Sequence, residues 1–313
     1  STDCDAVEAE LELRYPDIQF RIAHMNPITL DSDEPPPIGI QKRIYSLLSK
    51  QPERDNGVNS IGNLVAVDPK CELHKMLAQE GVSGLRHVSQ YQNFDKWQEM
   101  ARSSANLVLM PPGMKAAKEM EARCGIPYRF FPVSYDLDVI AEQYRGIHKF
   151  LRPNTAPIYD VAADRQAAER AVEHAVKKLG KLPLILDSSA VVRPFSLAKA
   201  LNKYGFTVHR IFAQEVIPSD REAFEWVTEH MPTVEILQPE HNDIVKFDRR
   251  FPGSLSIGVN AAYISGSGHV VDLFADEGLF GYYGIRKLME LMEEAADTTI
   301  DLRALIEDYG LVV

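Results

Sequence analysis

Short apolar runs alternate with amphipathic stretches along most of this chain, and that alternation predicts its elements. Asn106 to Met110 is a short apolar run of the kind a buried parallel strand needs. Pro111-Pro112-Gly113 breaks the run, and Met114 to Arg123 follows with helical spacing and strong helix formers. Gly125 sits where a helix C-cap glycine belongs, Pro127 blocks continuation, and Tyr128 to Val133 returns as a strand. In sheets built from such strand–loop–helix–strand units, ligands sit at the loops beyond the strand C-termini. Pro111, Pro112 and Gly113 form such a loop, although spacing alone makes it first of all a tight turn.

The same pattern organises the rest. Asp5 to Arg14 reads as a helix behind the N-cap signal Ser1-Thr2-Asp3, Ile18 to Ala23 as a strand, and Ile38 to Ser49 as an amphipathic helix beyond the polar loop DSDEPPP. Residues 1–57, ending in the linker QPERDNG, hold too few strands for a sheet and look like the remnant of a larger α/β domain, which predicts coding sequence upstream. From 58 to 150, strands at Val58 to Val67, Leu85 to Ser89, Asn106 to Met110 and Tyr128 to Val133 alternate with helices at Glu72 to Gln79, Phe94 to Ser103 and Met114 to Arg123, with Leu137 to Leu151 after them. The breaker-rich RPNTAP leads into 151–313. There Asp160 to Leu179 is a long helix, followed by strands at Leu182 to Leu186, Thr207 to Phe212, Val234 to Leu237, Ser254 to Val259 and His269 to Phe274. Helices at Ser196 to Tyr204, Asp220 to His230, Leu279 to Ala296 and Leu302 to Tyr309 complete the pattern. The expected fold is therefore α/β, with tandem Rossmann-like domains, parallel sheets and an incomplete first domain. A cleft between the two complete domains, faced by loops 109–113 and 187–194, is the default ligand site.

Composition narrows the class. The 313 residues are 45% hydrophobic and 25% charged, as in a soluble globular protein, and no apolar run reaches the ~20 residues that span a bilayer. A net charge of −11 with no basic stripe disfavours nucleic acid. Three scattered cysteines make neither a disulfide framework nor a CxxC clamp, so a reducing cytoplasm is the natural setting.

Candidate chemistry is sparse. Arg193, ahead of Pro194 in a loop near a helix start, can hold an anion bidentately or pair with a nearby carboxylate. Ser188 and Ser189 in the same loop can donate to a ligand or merely cap the helix. Glu240, His241 and Asp243 share a polar loop, without a further ligand at regular spacing. Gly266-Ser267-Gly268 is a lone GxG, and His269 beside it reads more readily as an ordinary strand residue than as a catalytic one. Cys71 and Cys124 read as small buried hydrophobes, while Cys4 lies in a first helical turn with nothing near it to complete a nucleophilic pair.

The order of several short motifs resembles the component 1 family of nitrogenase-like oxidoreductases, whose subunits contain three similar α/β domains. Ser1 to Asp5 is similar to the family's Gly-Asp-Asp helix start, and Asn59-Ser60-Ile61-Gly62 to its Asn-hydrophobic-Ile-Gly strand. Asn106-Leu107-Val108 with Gly125-Ile126-Pro127 resembles its Asn-Leu-Val … Gly-Ile-Pro unit. Arg193-Pro194 through Gly205 resembles its Arg-Pro … Leu-Gly unit, and Gly281-Tyr282-Tyr283-Gly284 its closing Gly-Tyr/Phe-x-Gly turn. The similarity runs from residue 1 to about residue 295.

The resemblance implies a nitrogenase-like component 1 subunit, either a reductase subunit or a metallocofactor-assembly scaffold. It implies a homo- or heterodimer with a component 1-type subunit, fed electrons by an ATP-dependent iron–sulfur reductase protein. It further implies an iron–sulfur cluster or related metallocofactor in the full-length protein, and a cofactor-facing set of Gly62, Met110, Pro111, Gly113, Ser188, Ser189 and Arg193. The departures matter equally. Met110 stands where the family carries its cofactor cysteine, the histidine ligand falls near Val271 with His269 two residues out of register, and Pro36 and Ile40 replace a glutamine and a histidine. Of the family's cofactor surroundings only Arg193 remains, so dinitrogen reduction at the usual cofactor is not expected and no metal ligand is assignable. A two-domain transferase with a nucleotide-sugar in its cleft, and a non-catalytic small-molecule-binding protein, stay as alternatives.

Overall fold

In the computed structural model, residues 3–22, 35–246 and 250–308 are described. The chain divides into two compact units, Ser1–Ala66 with Leu77–Pro132, and Val67–Met76 with Val133–Val313. Both are α/β with parallel sheets.

In the first unit, strands β1 (Val58–Ile61), β2 (Leu85–Arg86), β3 (Ala105–Val108) and β4 (Tyr128–Phe130) form one parallel sheet in the order β2-β1-β3-β4. Its helices are α1 (Cys4–Arg14), α2 (Pro36–Ser46), α4 (Phe94–Trp97) and α5 (Gly113–Cys124), while α3 (Glu72–Gln79) starts in the second unit and ends in the first. Ile61 and Val108 from the sheet pack with Ala116, Ala117, Met120 and Cys124 of α5 and with Tyr45 and Leu48. Arg123 of α5 donates to the Tyr45 and Leu48 carbonyls, which gives the C-terminal end of α2 the cation its dipole favours. α5 ends where Gly125 turns left-handed, at φ 70°.

The motif asparagines serve this sheet. Asn59 and Asn106 lie opposite each other in the β1–β3 register, both fully buried. Asn59 Nδ2 donates to Asn106 Oδ1 at 2.7 Å and to the Met100 carbonyl at 2.9 Å, and Ser103 Oγ donates to Asn59 Oδ1 at 2.8 Å. Arg86 continues the network to Ser103 Oγ and holds Asp55 bidentately. Every member is satisfied, which is what makes a buried polar chain tolerable. Asn59→Ala removes the link and leaves the Ser103 hydroxyl proton and Asn106 Oδ1 without their partner. We expect a loss of about 2–3 kcal/mol, read as a lower urea midpoint with an unchanged m-value.

The second unit holds α6 (Leu137–Leu151), α7 (Ala162–Leu179), β5 (Pro183–Asp187), α8 (Pro194–Tyr204), β6 (Thr207–Phe212), α9 (Arg221–His230) and β7 (Glu235–Leu237). After these come β8 (Leu255–Ile257), α10 (Val259–Ser265), β9 (His269–Val271), α11 (Gly281–Asp297) and α12 (Leu302–Asp308). Its five strands are all parallel, in the order β7-β6-β5-β8-β9. Strands β5 and β8 are fully buried from Leu184 to Asp187 and across Leu255–Ile257, as strands covered on both faces must be.

Several local expectations change: the strands expected over Val58 to Val67 and Leu85 to Ser89 end at Ile61 and Arg86, the latter giving way to a 3₁₀ turn over Val88–Gln90. Residues 18–22 are not a strand, because among the described residues no strand offers them a ladder, and Ala23 lies outside the described residues. The helix expected over Phe94 to Ser103 splits into α4 and a 3₁₀ stretch, Gln98–Arg102. The strand expected to end at Val259 stops at Ile257, where Gly258 turns at φ 114° and a seven-residue helix begins. Among the described residues no helix is long and apolar enough to cross a membrane.

Candidate functional site

Each sheet has one point where the chain's direction of travel across it reverses, and in open parallel sheets that is where ligands bind. In the first unit the reversal lies between β1 and β3, and there the loops after both strands meet. Gly62 adopts φ 96°, and a Cβ on it would lie 2.5 Å from the Met110 carbonyl oxygen and 3.0 Å from the Gly113 nitrogen. A Cβ on Gly113 would lie 2.7 Å from both Cα and N of Gly62. The loop therefore crosses the start of α5 backbone against backbone, and only glycines permit it. Four of the expected site residues, Gly62, Met110, Pro111 and Gly113, are gathered here. Met110 is buried and its carbonyl accepts the Gly113 N–H at 3.1 Å, while Pro111 is half-buried and accepts from Met114. Beside them His87 is buried, with Nε2 against the Asn63 carbonyl at 2.9 Å and Nδ1 accepting from the Ser89 amide. Burial holds its pKa below the usual histidine value, so the ring is a neutral tie for the 63–65 loop.

In the second unit the reversal lies between β5 and β8. Ser188 and Ser189 sit half-buried just beyond β5, and Ser189 Oγ accepts from Asn260 Nδ2 at 3.1 Å. Beneath them Asp187 ends β5 with its carboxylate buried. It accepts from the Ser189 amide at 2.8 Å and the Ala261 amide at 3.0 Å, so it closes the loop and caps α10. A Cβ on Gly258 would come within 2.5 Å of the Asp187 Cβ, which fixes how closely the two strand ends approach. Desolvation pushes the Asp187 carboxyl up, against the donors that stabilise its charge.

Arg193 ends the same loop as the N-cap residue of α8. Its Nε donates to the Ser219 carbonyl and its Nη1 to the Val133 carbonyl, both at 3.1 Å, and Asp220 lies 3.8 Å away. The α8 amides that would face an anion, those of Phe195 and Ser196, are already taken by Asp220 at 2.9 Å each. The arginine side chain is 17% exposed and Asp220 1%. Behind the loop lies Asp276, fully buried, accepting from Tyr135 Oη at 2.7 Å and from the Val192 amide at 3.1 Å.

Other candidates resolve into structural parts. His269 Nδ1 lies 2.7 Å from the Thr298 carbonyl and 3.0 Å from that of Ala295, so it ties β9 to the end of α11. Gly266 is the left-handed cap of α10, and Ser267 Oγ donates to the Ser254 carbonyl. His241 and Asp243 lie 3.8 Å apart in an exposed loop where Asp243 also pairs with Lys246. Among the described residues no three His, Cys, Asp or Glu side chains gather to hold a metal ion. Burial pushes the Cys71 thiol up and its sulfur sits 3.4 Å from the Phe280 carbonyl, which leaves it a poor ligand; Cys124 is buried too. Met110 offers only a thioether, and the described side chains do not gather the thiolates or imidazoles that would hold a metallocluster.

Sequence reasoning missed the carboxylates Glu72, Asp187, Asp220 and Asp276. Only Asp187 left a local signal, as the acid closing the apolar run Leu184-Ile185-Leu186.

Comparison with known proteins adds the lineage. A family model for nitrogenase component 1 type oxidoreductases matches residues 38–297. Among solved structures, nitrogenase Cp1 at pH 5 matches with a TM-score of 0.64 at 14% identity, over 94% of this chain and 68% of its own. Nitrogenase Cp1 at pH 6.5 matches with a TM-score of 0.62 at 13% identity, over 84% of this chain and 65% of its own. The chain thus spans about two-thirds of the length of these structures, and at such identities the likeness speaks for the fold. No curated protein matches the chain.

Proposed function

The chain belongs to the nitrogenase component 1 type oxidoreductases, and from that premise we propose that it works as a component 1-type subunit, a reductase subunit or a metallocofactor-assembly scaffold, that does not itself reduce dinitrogen. The observation that carries this reading is the family match running across both sheets, with the glycine crossing of Gly62 and Gly113 at one switch point and the Ser188–Arg193 loop at the other. We take each of these strand-end loops, within its own unit, as a surface that a guest, a substrate or a metallocluster in transit, can meet. Gly62, Gly113 and Pro111 offer backbone and shape, and Met110 packs beneath them. Ser188 and Ser189 offer hydroxyls. Arg193 holds the second loop in place through the Ser219 and Val133 carbonyls.

Electrons come, in this reading, from an ATP-dependent iron–sulfur reductase, and the working form is a dimer with a component 1-type subunit. Any cluster takes ligands beyond those described in this chain, because a thioether at Met110 is a far weaker iron ligand than a thiolate. The test is anaerobic co-expression with the candidate partner subunit, followed by iron and sulfide analysis. The complex is expected to contain both elements, and its visible spectrum to bleach only when the reductase and MgATP are added together. An iron-free protein that binds a nucleotide-sugar would overturn the proposal.

A further inference from the structure

Between β9 and α11, three successive residues other than glycine lie in the left-handed region, Ala275 at φ 45°, Asp276 at 61° and Glu277 at 33°. Each such residue is strained, because its Cβ crowds the following carbonyl oxygen, and a run of three persists only where its surroundings over-determine it. Here they do. The Ala275 amide donates to the Ser189 carbonyl at 2.8 Å and the Asp276 amide to the Ala190 carbonyl at 2.9 Å. In return the Asp276 carboxylate takes the Val192 amide, and Tyr135 Oη donates to its other oxygen. The strap is therefore laced to residues 189, 190 and 192, the loop that carries Ser188, Ser189 and Arg193.

We propose that the strap Ala275–Glu277 is a proton-linked latch on the Ser188–Arg193 loop, such that opening the loop exposes the buried carboxyl of Asp276 and releases a proton. The charged and titratable groups that face Asp276 are few. Tyr135 approaches from the segment after β4, Arg193 from the loop itself, and Asp220 from the turn before α9. α11 faces the same small space with Gly281, Gly284, Ile285 and Leu288, none of which titrates.

The direction follows from burial. Desolvation lifts the Asp276 carboxyl from its ordinary 3.8 to about 6, because the Tyr135 and Val192 donors and the Arg193 charge only partly offset it. In an opened loop the group meets water and returns to the ordinary value. The closed form therefore binds the proton more tightly, and opening becomes easier as pH rises through the window between the two values, then levels off above about 6. The Asp276 proton alone makes this a change of at most about tenfold per pH unit; Glu277, in the same strap and also pushed up by burial and by Asp272, titrates separately.

Hydrogen exchange of residues 188–193 in the 313-residue chain, measured from pH about 4.5 to 7.5 and corrected for intrinsic exchange rates, tests the latch. Wild-type protection is expected to fall as pH rises to about 6 and then to flatten, whereas Asp276→Asn should remove that dependence. Tyr135→Phe deletes a donor to the carboxylate, lifts its pKa further, and should carry the fall to higher pH. This second variant keeps the test open should Asp276→Asn fold poorly. A wild-type loop whose corrected protection does not change with pH, or an Asp276→Asn protein that keeps the wild-type dependence, overturns the latch.

Discussion

Glu72→Ala is expected to destabilise the second unit by about 3–5 kcal/mol, because it strands three buried donors that each cost about 1–3 kcal/mol when unpaired. Glu72 is 1% exposed. Its carboxylate accepts the Tyr282 amide at 2.5 Å, the Tyr283 amide at 3.0 Å and the Tyr144 hydroxyl at 2.6 Å. The two amides open α11, so a carboxylate more than 200 positions away in sequence acts as the N-cap that Phe280 cannot supply. The Tyr144 ring stacks on Tyr282 with centroids 5.8 Å apart, which fixes the hydroxyl that completes the set. Gly281 belongs to the same knot, since it turns at φ 60° and a Cβ there would run into the Tyr144 hydroxyl and the Glu72 carboxylate. The Gly-Tyr-Tyr-Gly turn is thus a cap site.

Glu72→Gln separates charge from shape. It keeps one acceptor oxygen but brings an NH₂ group toward donors, so a loss of about 1–3 kcal/mol is expected. Burial outweighs the three donors and pushes the Glu72 carboxyl above the usual range. A raised folded pKa means that this group's contribution is fullest below the ordinary carboxylate range and declines as pH rises through the raised value. The glutamine variant should lack that decline. Denaturant unfolding decides the matter, and a Glu72→Ala midpoint equal to wild type would refute the cap.

Much of this fold was legible because strand, breaker and helix signals sit close together. Asn106 to Gly125 is the clearest case, since an apolar run, two prolines and a terminal glycine each act within a few residues of their own position. The helix α10 was not legible. Val259-Asn260-Ala261-Ala262 follows an apolar strand with no cap residue, and only the left-handed turn at Gly258 separates the two. Residues 18–22 show the converse, a β-like composition that finds no ladder.

The candidate site divides along the same line. The loop residues Gly62, Pro111, Gly113, Ser188, Ser189 and Arg193 follow strand ends, so their positions could be read from punctuation. The carboxylates could not. Asp220 meets Phe195 and Ser196, and Asp276 meets Tyr135 and Val192, across 24 to 141 positions. No local spacing reports such pairs, and a lone Asp in a polar loop has the same appearance whether solvated or buried.

Gly113→Ala is the substitution that joins the first unit's fold to its candidate site. The new methyl would stand 2.7 Å from Gly62 Cα and N and 2.9 Å from the Ile61 carbonyl carbon, all backbone atoms that cannot rotate aside. Relief requires α5 to draw back from the turn after β1 by several tenths of an ångström, against the packing of Ala116, Ala117 and Met120. A cost of about 2–3 kcal/mol is expected, the usual range for an overpacked interior. Gly62→Ala should cost at least as much, because its φ of 96° adds backbone strain to a Cβ placed 2.5 Å from the Met110 carbonyl oxygen. Gly84→Ala is the control in the same unit. Nothing lies within 4 Å of its Cβ position, so the change should be neutral or slightly stabilising through the unfolded chain. Urea unfolding of the three variants reads the ranking directly, and Gly113→Ala unfolding at the Gly84→Ala midpoint would mean the crossing is not the tight contact described. Because the two glycines line the point where the first sheet's strand order reverses, the same retreat of α5 should also weaken any guest seated there, whereas Gly84→Ala should leave it bound.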